Sequence, residues 1–431
     1  MTEAQSRGNA FSPSQSPCSG PAQSSGQALS HIRVLDLSRV LAGPWAAQTL
    51  GDLGADIIKV ERPGTGDDTR LWGPPYLKDR QGNDTHDAAY FLCANRNKKS
   101  IAIDLTVPAG QALVRELARN CDVLIENFKV GSLAQYGLDH VSLMALNPRL
   151  VYCSITGFGQ NGPYAHRAGY DFLMQGMGGL MSITGRADGE EGAGPVKVGV
   201  ALTDILTGLY ASTAILAALQ SREVTGRGQH IDLALLDVQV ACLANQGMNH
   251  LYGKEPVRMG NAHPNTVPYQ DFPTADGYMI LAIGNDSQFA SFCCAVGHPE
   301  WAEDPRFKAG SARVINRDTL IPMLRQLTVG RTTREWISLL EKVGVPCGPI
   351  NTVADVFEDP QVQARGTQIQ MIHPVGGDIP LVASPIRLSD TPVQYRSAPP
   401  VLGQHTQQVL AETLGLSPDA IAELIEQGVV Q

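Results

Sequence analysis

Short apolar runs alternate with longer amphipathic stretches along the chain from about residue 31 onward. Buried strands are predicted at residues 34–37, 57–60, 100–105, 122–125 and 150–155. Helices are predicted at residues 44–53, 111–119 and 141–146, the first of them opened by Pro44. Because strands that alternate with helices form parallel sheets covered on both faces, the pattern predicts an α/β fold.

The pattern becomes more helical after residue 200. A long and largely apolar helix is predicted at residues 204–219, and the turn-rich sequence TGRG follows at 225–228. A further helical segment is predicted at about 230–250. A strand at 278–283 and several helices between about 285 and 345 predict a smaller α/β unit.

The two ends of the chain differ from its middle in composition. The first 30 residues are rich in Ser, Gln, Gly and Pro and lack the apolar core of a secretory signal, so we expect a disordered tail. After residues 346–349 the chain turns polar and extended, and it ends in two predicted helices near 404–414 and 417–426. The local pattern does not indicate where this last segment packs.

The charge balance is acidic. Over 431 residues, 33 Lys and Arg against 42 Asp and Glu give a formal net charge of −9, which argues against nucleic acid or a membrane as a partner. No run of about 18 apolar residues occurs, so no transmembrane helix is expected. The eight cysteines and ten histidines lack metal-ligand spacing, and scattered cysteines are typical of free thiols in a reducing compartment. We therefore expect a cytoplasmic protein without a bound metal.

One glycine-rich segment, GFGQNG at 157–162, matches the dinucleotide-binding pattern G-x-G-x-x-G and follows a predicted strand. That pattern also requires a helix that opens on the last glycines and an acidic residue about 20 positions later. Here Pro163 and Tyr164 follow, and the next predicted helix begins near Asp171. We interpret the segment as a loop with tight turns and not as an NAD site.

Basic residues stand near the ends of several predicted strands. Arg62 follows the second strand and Lys129 follows the strand at 122–125, while Arg96 and Lys98 precede the strand at 100–105. Ligands of open parallel sheets bind beyond the carboxyl ends of the strands. Arg62 and Lys129 are therefore predicted to gather around one anionic ligand. The alternative is that each is a solvated loop charge.

Two aspartates stand at predicted helix starts. Asp204 begins the long apolar helix, and Asp171 begins an earlier one. Aspartate is a favoured N-cap residue, and the local pattern favours that role for Asp204. The alternative is chemical, because a carboxylate near a helix N-terminus stays ionised and can attack an activated acyl group.

At these residues the sequence resembles the class III CoA-transferase family, which includes formyl-CoA:oxalate and carnitine CoA-transferases. The matching segments, in order, are VLDLSRVLAGPWAAQTLGDLGADIIKVERPGTGDDTR (34–70), NRNKKSIAIDL (95–105), VLIENFKVG (123–131), LNPRLVYCSITGFGQNGP (146–163), TDILTG (203–208), TGRGQHIDLALLD (225–237), GVPCGPINTV (344–353) and LGQHT (402–406). Within the family, MGNAH (259–263), VPYQDFPTADGY (267–278) and PPVLGQHT (399–406) most resemble succinyl-CoA:glutarate CoA-transferases.

The resemblance implies an open, Rossmann-like parallel-sheet large domain built from both chain ends, a smaller α/β middle domain, and an interlocked homodimer. On this basis residues 31–225 form the first part of the large domain, with the coenzyme site. Residues 226–345 form linker helices and the small domain, and residues 346–431 return to the large domain. The predicted disordered tail is residues 1–30.

The resemblance also implies roles for individual residues. It makes Asp204, and not Asp171, the catalytic nucleophile. The residues expected to bind CoA are Leu41, Ala42, Arg62, Arg96, Ile103, Leu105, Thr106, Asn127, Phe128 and Lys129. The residues expected at the acyl site are Tyr170, Gly260, Asn261 and His263.

The implied reaction moves CoA from a donor such as succinyl-CoA to a carboxylic acid such as glutarate or a sulfinate analogue. Asp204 is expected to form a mixed anhydride and then an aspartyl-CoA thioester. Coenzyme A is a co-substrate, and no permanently bound cofactor is expected. The alternative within the same fold is an α-methylacyl-CoA racemase, but such racemases usually carry a His-Asp pair where this chain has Tyr170-Asp171. A CoA-binding protein without turnover is a third alternative.

Overall fold

The computed structural model describes residues 26–431. Of the tail predicted to be disordered, residues 1–25 lie outside the described residues. The backbone N–H of Leu29 donates a hydrogen bond to the carbonyl of Leu53 at 3.0 Å. The Leu29 side chain packs against the core, so the prediction of a disordered tail is wrong for this residue, which belongs to the fold.

Six parallel strands form the central sheet. The strands of the described residues are β1 (Arg33–Asp36), β2 (Asp56–Glu61), β3 (Tyr76–Lys78), β4 (Asp84–Ala88), β5 (Lys98–Ala102), β6 (Val123–Glu126), β7 (Val151–Thr156), β8 (His230–Ala234), β9 (Tyr269–Pro273), β10 (Tyr278–Ala282), β11 (Cys347–Pro349), β12 (Gln368–His373) and β13 (Gly377–Val382). The central sheet has the order β5-β2-β1-β6-β7-β8. A three-stranded sheet has the order β11-β10-β9, and two hairpins pair β3 with β4 and β12 with β13.

Helices connect and cover these strands. They are α1 (Ala42–Asp52), α2 (Ala89–Leu92), α3 (Pro108–Arg119), α4 (His140–Leu146), α5 (Asp171–Met177), α6 (Leu180–Ile183), α7 (Leu202–Thr225), α8 (Leu235–Ala241), α9 (Ala244–Leu251), α10 (Asp286–Ala295), α11 (Glu300–Glu303), α12 (Gly310–Ile315), α13 (Arg317–Thr328), α14 (Thr333–Glu341), α15 (Val353–Glu358), α16 (Pro360–Ala364), α17 (Thr406–Leu414) and α18 (Pro418–Glu426).

Neighbouring residues of the central strands alternate between two apolar cores. Leu35 of β1 pairs with Ile58 of β2 and with Leu124 of β6, and all three pack in the core under α3, α4, α17 and α18. Val34 and Ile57 lie in the opposite core, under α1 and α7. Both faces are therefore buried, which explains the continuous apolar runs of the strands. The predicted α/β fold on a parallel sheet is confirmed.

Helix α7 is the longest helix among residues 26–431. It is also the one described helix that is long and apolar enough to span a membrane by length and composition, with a mean hydropathy of 1.5 in its most apolar window. Half of that window is buried inside the fold. Its residues Ala211, Ile215 and Leu219 pack in the core shared with α1, as those of a core helix do.

A separate core, distinct from the two that flank the central sheet, lies in the middle of the chain. Strands β9, β10 and β11 pack with α10, α13 and α14 around buried aromatic residues that include Phe272, Phe289 and Trp336. This is the smaller α/β unit that the sequence pattern indicates.

The end of the chain returns to the central sheet. The backbone N–H groups of β5 donate to the C-terminal segment, from Ser100 to His405 Nδ1 at 3.2 Å and from Ala102 to Thr406 Oγ1 at 3.0 Å. Ile103 also forms an isolated antiparallel bridge with Val430. The C-terminal segment therefore covers the edge strand, whose unpaired N–H groups need partners.

Two predicted elements differ from the structure. The segment predicted as helical at 230–250 begins with a strand, β8, and only then continues as α8 and α9. That prediction was wrong for residues 230–234, because Ile231 pairs with Cys153 at the edge of the sheet, a contact that the local pattern does not reveal. The strand predicted at 100–105 ends at Ala102, and the chain then leaves the sheet through Ile103.

Candidate active site

Two cavities lie side by side at the carboxyl end of the central sheet. The first, called the Asp204 cavity here, has a volume of about 150 Å³, and its lining includes Asp204 and the loop after β1. The second, called the Arg62 cavity, has a volume of about 330 Å³, and its lining includes Arg62 and the chain after β5. Arg39, Phe128 and Lys129 line both, so the two cavities form one crevice where open α/β sheets bind ligands.

Most of the residues predicted for the site line this crevice. The Asp204 cavity contains Leu41, Ala42, Asn127, Phe128, Lys129, Tyr170 and Asp204. The Arg62 cavity contains Arg62, Ile103, Leu105, Thr106, Phe128 and Lys129. The crevice therefore carries the predicted nucleophile at one end and a predicted coenzyme-binding arginine at the other.

Four of the predicted residues lie elsewhere in the structure. Gly260, Asn261 and His263 follow α9 and line neither cavity; the carbonyl of His263 accepts a hydrogen bond from Arg317 at 3.2 Å. The fourth is Arg96, which is only 5% exposed.

The guanidinium of Arg96 is used inside the fold. Its Nε and Nη2 atoms donate to the carboxylate of Asp52 at 2.9 and 2.5 Å, and Nη1 donates to the carbonyl of Val382 at 2.8 Å. Lys98 is likewise buried, with its Nζ atom 3.0 Å from Asp36. Both side chains are held by carboxylates of the core, so Arg96 does not face the crevice where the other predicted coenzyme-binding residues lie.

Buried ion pairs hold the loop that carries Arg62. Lys59 Nζ donates to Asp67 at 2.9 Å, and Arg70 donates to Glu61 at 2.7 Å. All four side chains are nearly or fully buried. Because buried charges need such partners, the strand end and the following loop are locked together, while the Arg62 side chain remains exposed.

Asp204 lies in the first turn of α7 and is 8% exposed. Its burial, and secondly the negative charge of Asp171, raise the pKa of its carboxyl group to about 7. In the described part of the chain the Asp204 carboxylate accepts no hydrogen bond, and the N-cap position of α7 is Ala201. Asp204 is therefore not the cap of its helix, and its carboxylate is free to face the cavity.

A carboxylate from another helix supplies the missing cap. Asp171, in the first turn of α5, accepts hydrogen bonds through Oδ1 from the backbone N–H of Thr203 and, more weakly at 3.4 Å, from that of Asp204. Its Oδ2 atom accepts a bond from Gln175 at 2.7 Å, and Gln175 in turn accepts one from the backbone N–H of Val198. The approach to α7 is thus tied to α5.

The loop after β1 touches the same helix. A Cβ atom placed on Gly208 of α7 would lie 2.7 Å from the carbonyl oxygen of Ala42, closer than real contacts allow. Only glycine lets the backbone at the start of α1 approach α7 this closely. Leu41 and Ala42, where the loop passes into α1, therefore lie close to the N-terminal part of the helix that carries Asp204.

Two arginines of the site escaped the sequence reasoning. Arg39 lines both cavities and is paired with Asp68 at 3.0 Å; it follows β1 as Arg62 follows β2, so the same rule of strand ends would have selected it. Arg167 lies in the loop after β7 and lines the Asp204 cavity. No sequence pattern marks it, because the loop is long and its folding decides which side chains face inward.

Residues 26–431 contain no group of three or more His, Cys, Asp or Glu side chains that could hold a metal ion. The crevice instead contains a buried carboxylate and several basic side chains, and its walls are formed by the segments that follow several strands of the sheet.

Known proteins resemble this chain over most of its length. Residues 29–406 match the sequence profile of CoA-transferase family III. A succinate–glutarate CoA-transferase of Agrobacterium fabrum is 53% identical, covering 89% of this chain and 95% of its own. A succinyl-CoA:glutarate CoA-transferase of Homo sapiens is 45% identical, covering 93% of this chain and 90% of its own.

Solved structures show the same architecture. The crystal structure of a CAIB/BAIF family protein from Brucella suis superposes with a TM-score of 0.78 at 51% identity, covering 90% of this chain and all of that one. A structure from Mycobacterium tuberculosis gives a TM-score of 0.79 at 30% identity, with coverages of 90% and 99%. With a profile match over residues 29–406, and with a buried carboxylate and basic side chains in the crevice at the carboxyl end of the sheet, this protein is an enzyme that belongs to CoA-transferase family III.

Proposed function

We propose that this enzyme transfers CoA from succinyl-CoA to glutarate or a closely related dicarboxylic acid. The relatives at 45 to 53% identity carry these two substrates in their names, and they cover almost all of the chain. The observation that carries the proposal is the position of Asp204, a buried carboxylate without a hydrogen-bond partner among the described residues, at one end of a crevice lined with basic side chains.

The proposed reaction proceeds through Asp204 in four acyl transfers. The carboxylate attacks the thioester carbonyl of succinyl-CoA, which forms a mixed anhydride and releases the CoA thiolate. The thiolate then attacks the aspartyl carbonyl, releasing succinate and leaving an aspartyl-CoA thioester. Glutarate attacks that carbonyl and displaces the thiolate again, and attack of the thiolate on the glutaryl carbonyl forms glutaryl-CoA and regenerates Asp204. Dividing one exchange into such steps lowers each barrier.

Coenzyme A is proposed to lie along the crevice as a co-substrate, with no permanently bound cofactor. Arg62 and Lys129 are exposed at the Arg62 cavity and are suited to the phosphates, while Ile103, Leu105 and Thr106 line its wall where the adenine would lie. Phe128 lines both cavities, and Asn127 lines the Asp204 cavity beside it. The thiol end would then reach Asp204, and a bound thiolate has a far higher effective concentration than a free one.

A homodimer is proposed as the working unit. Helix α7 exposes Leu209, Tyr210 and Leu216 on the side that does not pack on the sheet. Exposed apolar side chains in such a row are typical of an interface. Light scattering should give twice the mass of the chain, and a monomer under assay conditions would contradict the proposal. The cytoplasmic location, and the absence of nucleic-acid and membrane partners, stay predictions from composition.

The covalent step is tested by trapping. Wild-type enzyme incubated with succinyl-CoA and then treated with hydroxylamine should carry a hydroxamate on Asp204, detected by mass spectrometry of the peptide. The Asp204→Ala variant should lose transfer by at least about a thousandfold and give no adduct. The matched control is Asp419→Asn, an exposed aspartate in the first turn of α18 and outside the crevice, which should keep its activity. An adduct on a different residue would reassign the nucleophile.

A further inference from the structure

The glycine-rich loop after β7 is closed by a contact between its two ends. A Cβ atom on Gly157 would lie 2.7 Å from the Cα of Gly169, and one on Gly169 would lie 2.6 Å from the Cα of Gly157. The two ends of the loop therefore touch backbone to backbone, which glycine alone permits. Gly159 N–H also donates to Thr156 Oγ1 at 2.9 Å. The segment GFGQNG thus begins a closed loop whose second half faces the Asp204 cavity.

This loop presents one arginine to the cavity. Arg167 lines the cavity, and its guanidinium lies over the rings of Tyr164 and Phe158, at 4.6 and 5.1 Å from their centroids. The two rings contact each other edge to face at 5.5 Å. Stacking on aromatic rings orients a guanidinium without using its N–H donors.

The charge of Arg167 has no partner among the described residues. Within residues 26–431 no carboxylate lies within ion-pair distance of the guanidinium, and its one polar contact there is the sulfur of Met177 at 4.0 Å. Arg39, the other arginine of this cavity, is already paired with Asp68. Of the two guanidinium groups that line the Asp204 cavity, that of Arg167 is therefore the one that is oriented by rings and not paired with a carboxylate. Lys129 also lines this cavity, but it is shared with the Arg62 cavity.

We propose that Arg167 binds the distal carboxylate of the dicarboxylic acyl group and so selects dicarboxylic over monocarboxylic acids. This inference rests on the proposed function, because it assigns a residue to the second carboxylate of that substrate. The carboxylate of Asp204 repels a second carboxylate on the substrate, and Arg39 is already paired with Asp68, so the distal carboxylate needs a further cation in the cavity. A planar guanidinium matches a carboxylate with two parallel N–H donors.

The test compares glutarate with its monomethyl ester, which keeps the chain length and lacks one carboxylate. The measurement is KM for each acid with succinyl-CoA as donor or, for an acid that is not turned over, its inhibition constant. Arg167→Gln should raise the value for glutarate at least tenfold and leave that for the ester unchanged. Arg167→Lys should recover part of the loss, because it keeps the charge but not the paired donors.

The control is Arg331→Gln in the smaller unit. Arg331 also lies over an aromatic ring, that of Trp336 at 5.1 Å, but it is remote from the crevice, so the variant should change neither value. If Arg167→Gln leaves the ratio of the values for glutarate and its ester unchanged, the inference is overturned. An equal rise of both values would give that result and would indicate a role in folding or in coenzyme binding. A wild-type enzyme that transfers CoA to no acid would overturn the proposed function instead.

Discussion

Asp171 Oδ1 accepts the backbone N–H of Thr203 at 2.8 Å across 32 residues of sequence. Helix α7 has no capping side chain of its own, so this carboxylate from α5 satisfies the first turn of the helix that presents Asp204. The same contact places a second negative charge beside the proposed nucleophile. Asp171 therefore both positions Asp204 and influences its ionisation.

The first prediction concerns the pH dependence of catalysis. The pKa of Asp204 is raised to about 7, first by burial and then by Asp171, so kcat/KM should fall on the acidic side of pH 7, where the carboxyl is protonated. Asp171→Asn keeps an oxygen acceptor for Thr203 but removes the charge. Its acidic limb should therefore move to lower pH, by about one pH unit. The measurement is the pH profile of kcat/KM for both enzymes.

A second variant separates charge from hydrogen bonding. Asp171→Ala removes the cap as well as the charge, so it should also lower the free energy of unfolding by about 1 kcal/mol, measured by urea denaturation. If the acidic limb of Asp171→Asn coincides with that of the wild type, Asp171 does not influence the ionisation of Asp204.

The second prediction is that the proposed nucleophile destabilises the fold. A carboxyl whose pKa rises from its ordinary 3.8 to about 7 binds its proton more tightly when folded. Its contribution to stability is therefore lost as the pH rises from about 4 to 7, and above pH 7 the ionised group is a net cost. Asp204→Asn should raise the free energy of unfolding at pH 8 by up to about 4 kcal/mol, and by less at pH 5.5.

The matched control for this comparison is Asp419→Asn. Asp419 also lies in the first turn of a helix, α18, but it is exposed to solvent. Its replacement should change the free energy of unfolding by less than about 0.5 kcal/mol. A stabilisation of Asp204→Asn that does not depend on pH would show that its origin is packing and not ionisation.

The third prediction distinguishes two arginines that were both expected to bind CoA. Arg96 is buried and paired with Asp52, whereas Arg62 is exposed at the Arg62 cavity. Arg96→Met leaves the Asp52 carboxylate buried without its partner and should lower the free energy of unfolding by about 3–5 kcal/mol. The KM for succinyl-CoA should stay unchanged at a temperature where the variant is folded.

Arg62→Met is its counterpart. It should raise the KM for succinyl-CoA about tenfold or more, because it removes a charge-assisted contact to phosphate, and it should leave the stability within about 0.5 kcal/mol of the wild type. Denaturation curves and steady-state kinetics on the same preparations give both quantities. A raised KM in the Arg96 variant would restore that residue to the coenzyme site.

The local sequence was sufficient to predict most strands of the central sheet. The apolar runs around Leu35, Ile58 and Leu124 predicted buried parallel strands, because residues covered on both faces must be apolar throughout. The rule that ligands bind at strand ends then selected Arg62 and Lys129, and both line the crevice. The strand β8 was missed because its pairing with β7 is a contact between distant segments.

The sequence by itself determined the layers of the fold, the end of the sheet at which the crevice lies, and the family whose motifs run along the chain. Only the tertiary structure decided that Arg96 is held by Asp52, that Asp171 caps the helix of Asp204, and that Arg167 faces the cavity with no ion-pair partner in the part of the chain that is described. The physical reason is that periodicity and turn chemistry act over a few residues. The state of a charged side chain depends on which distant carboxylate or ring the fold brings beside it.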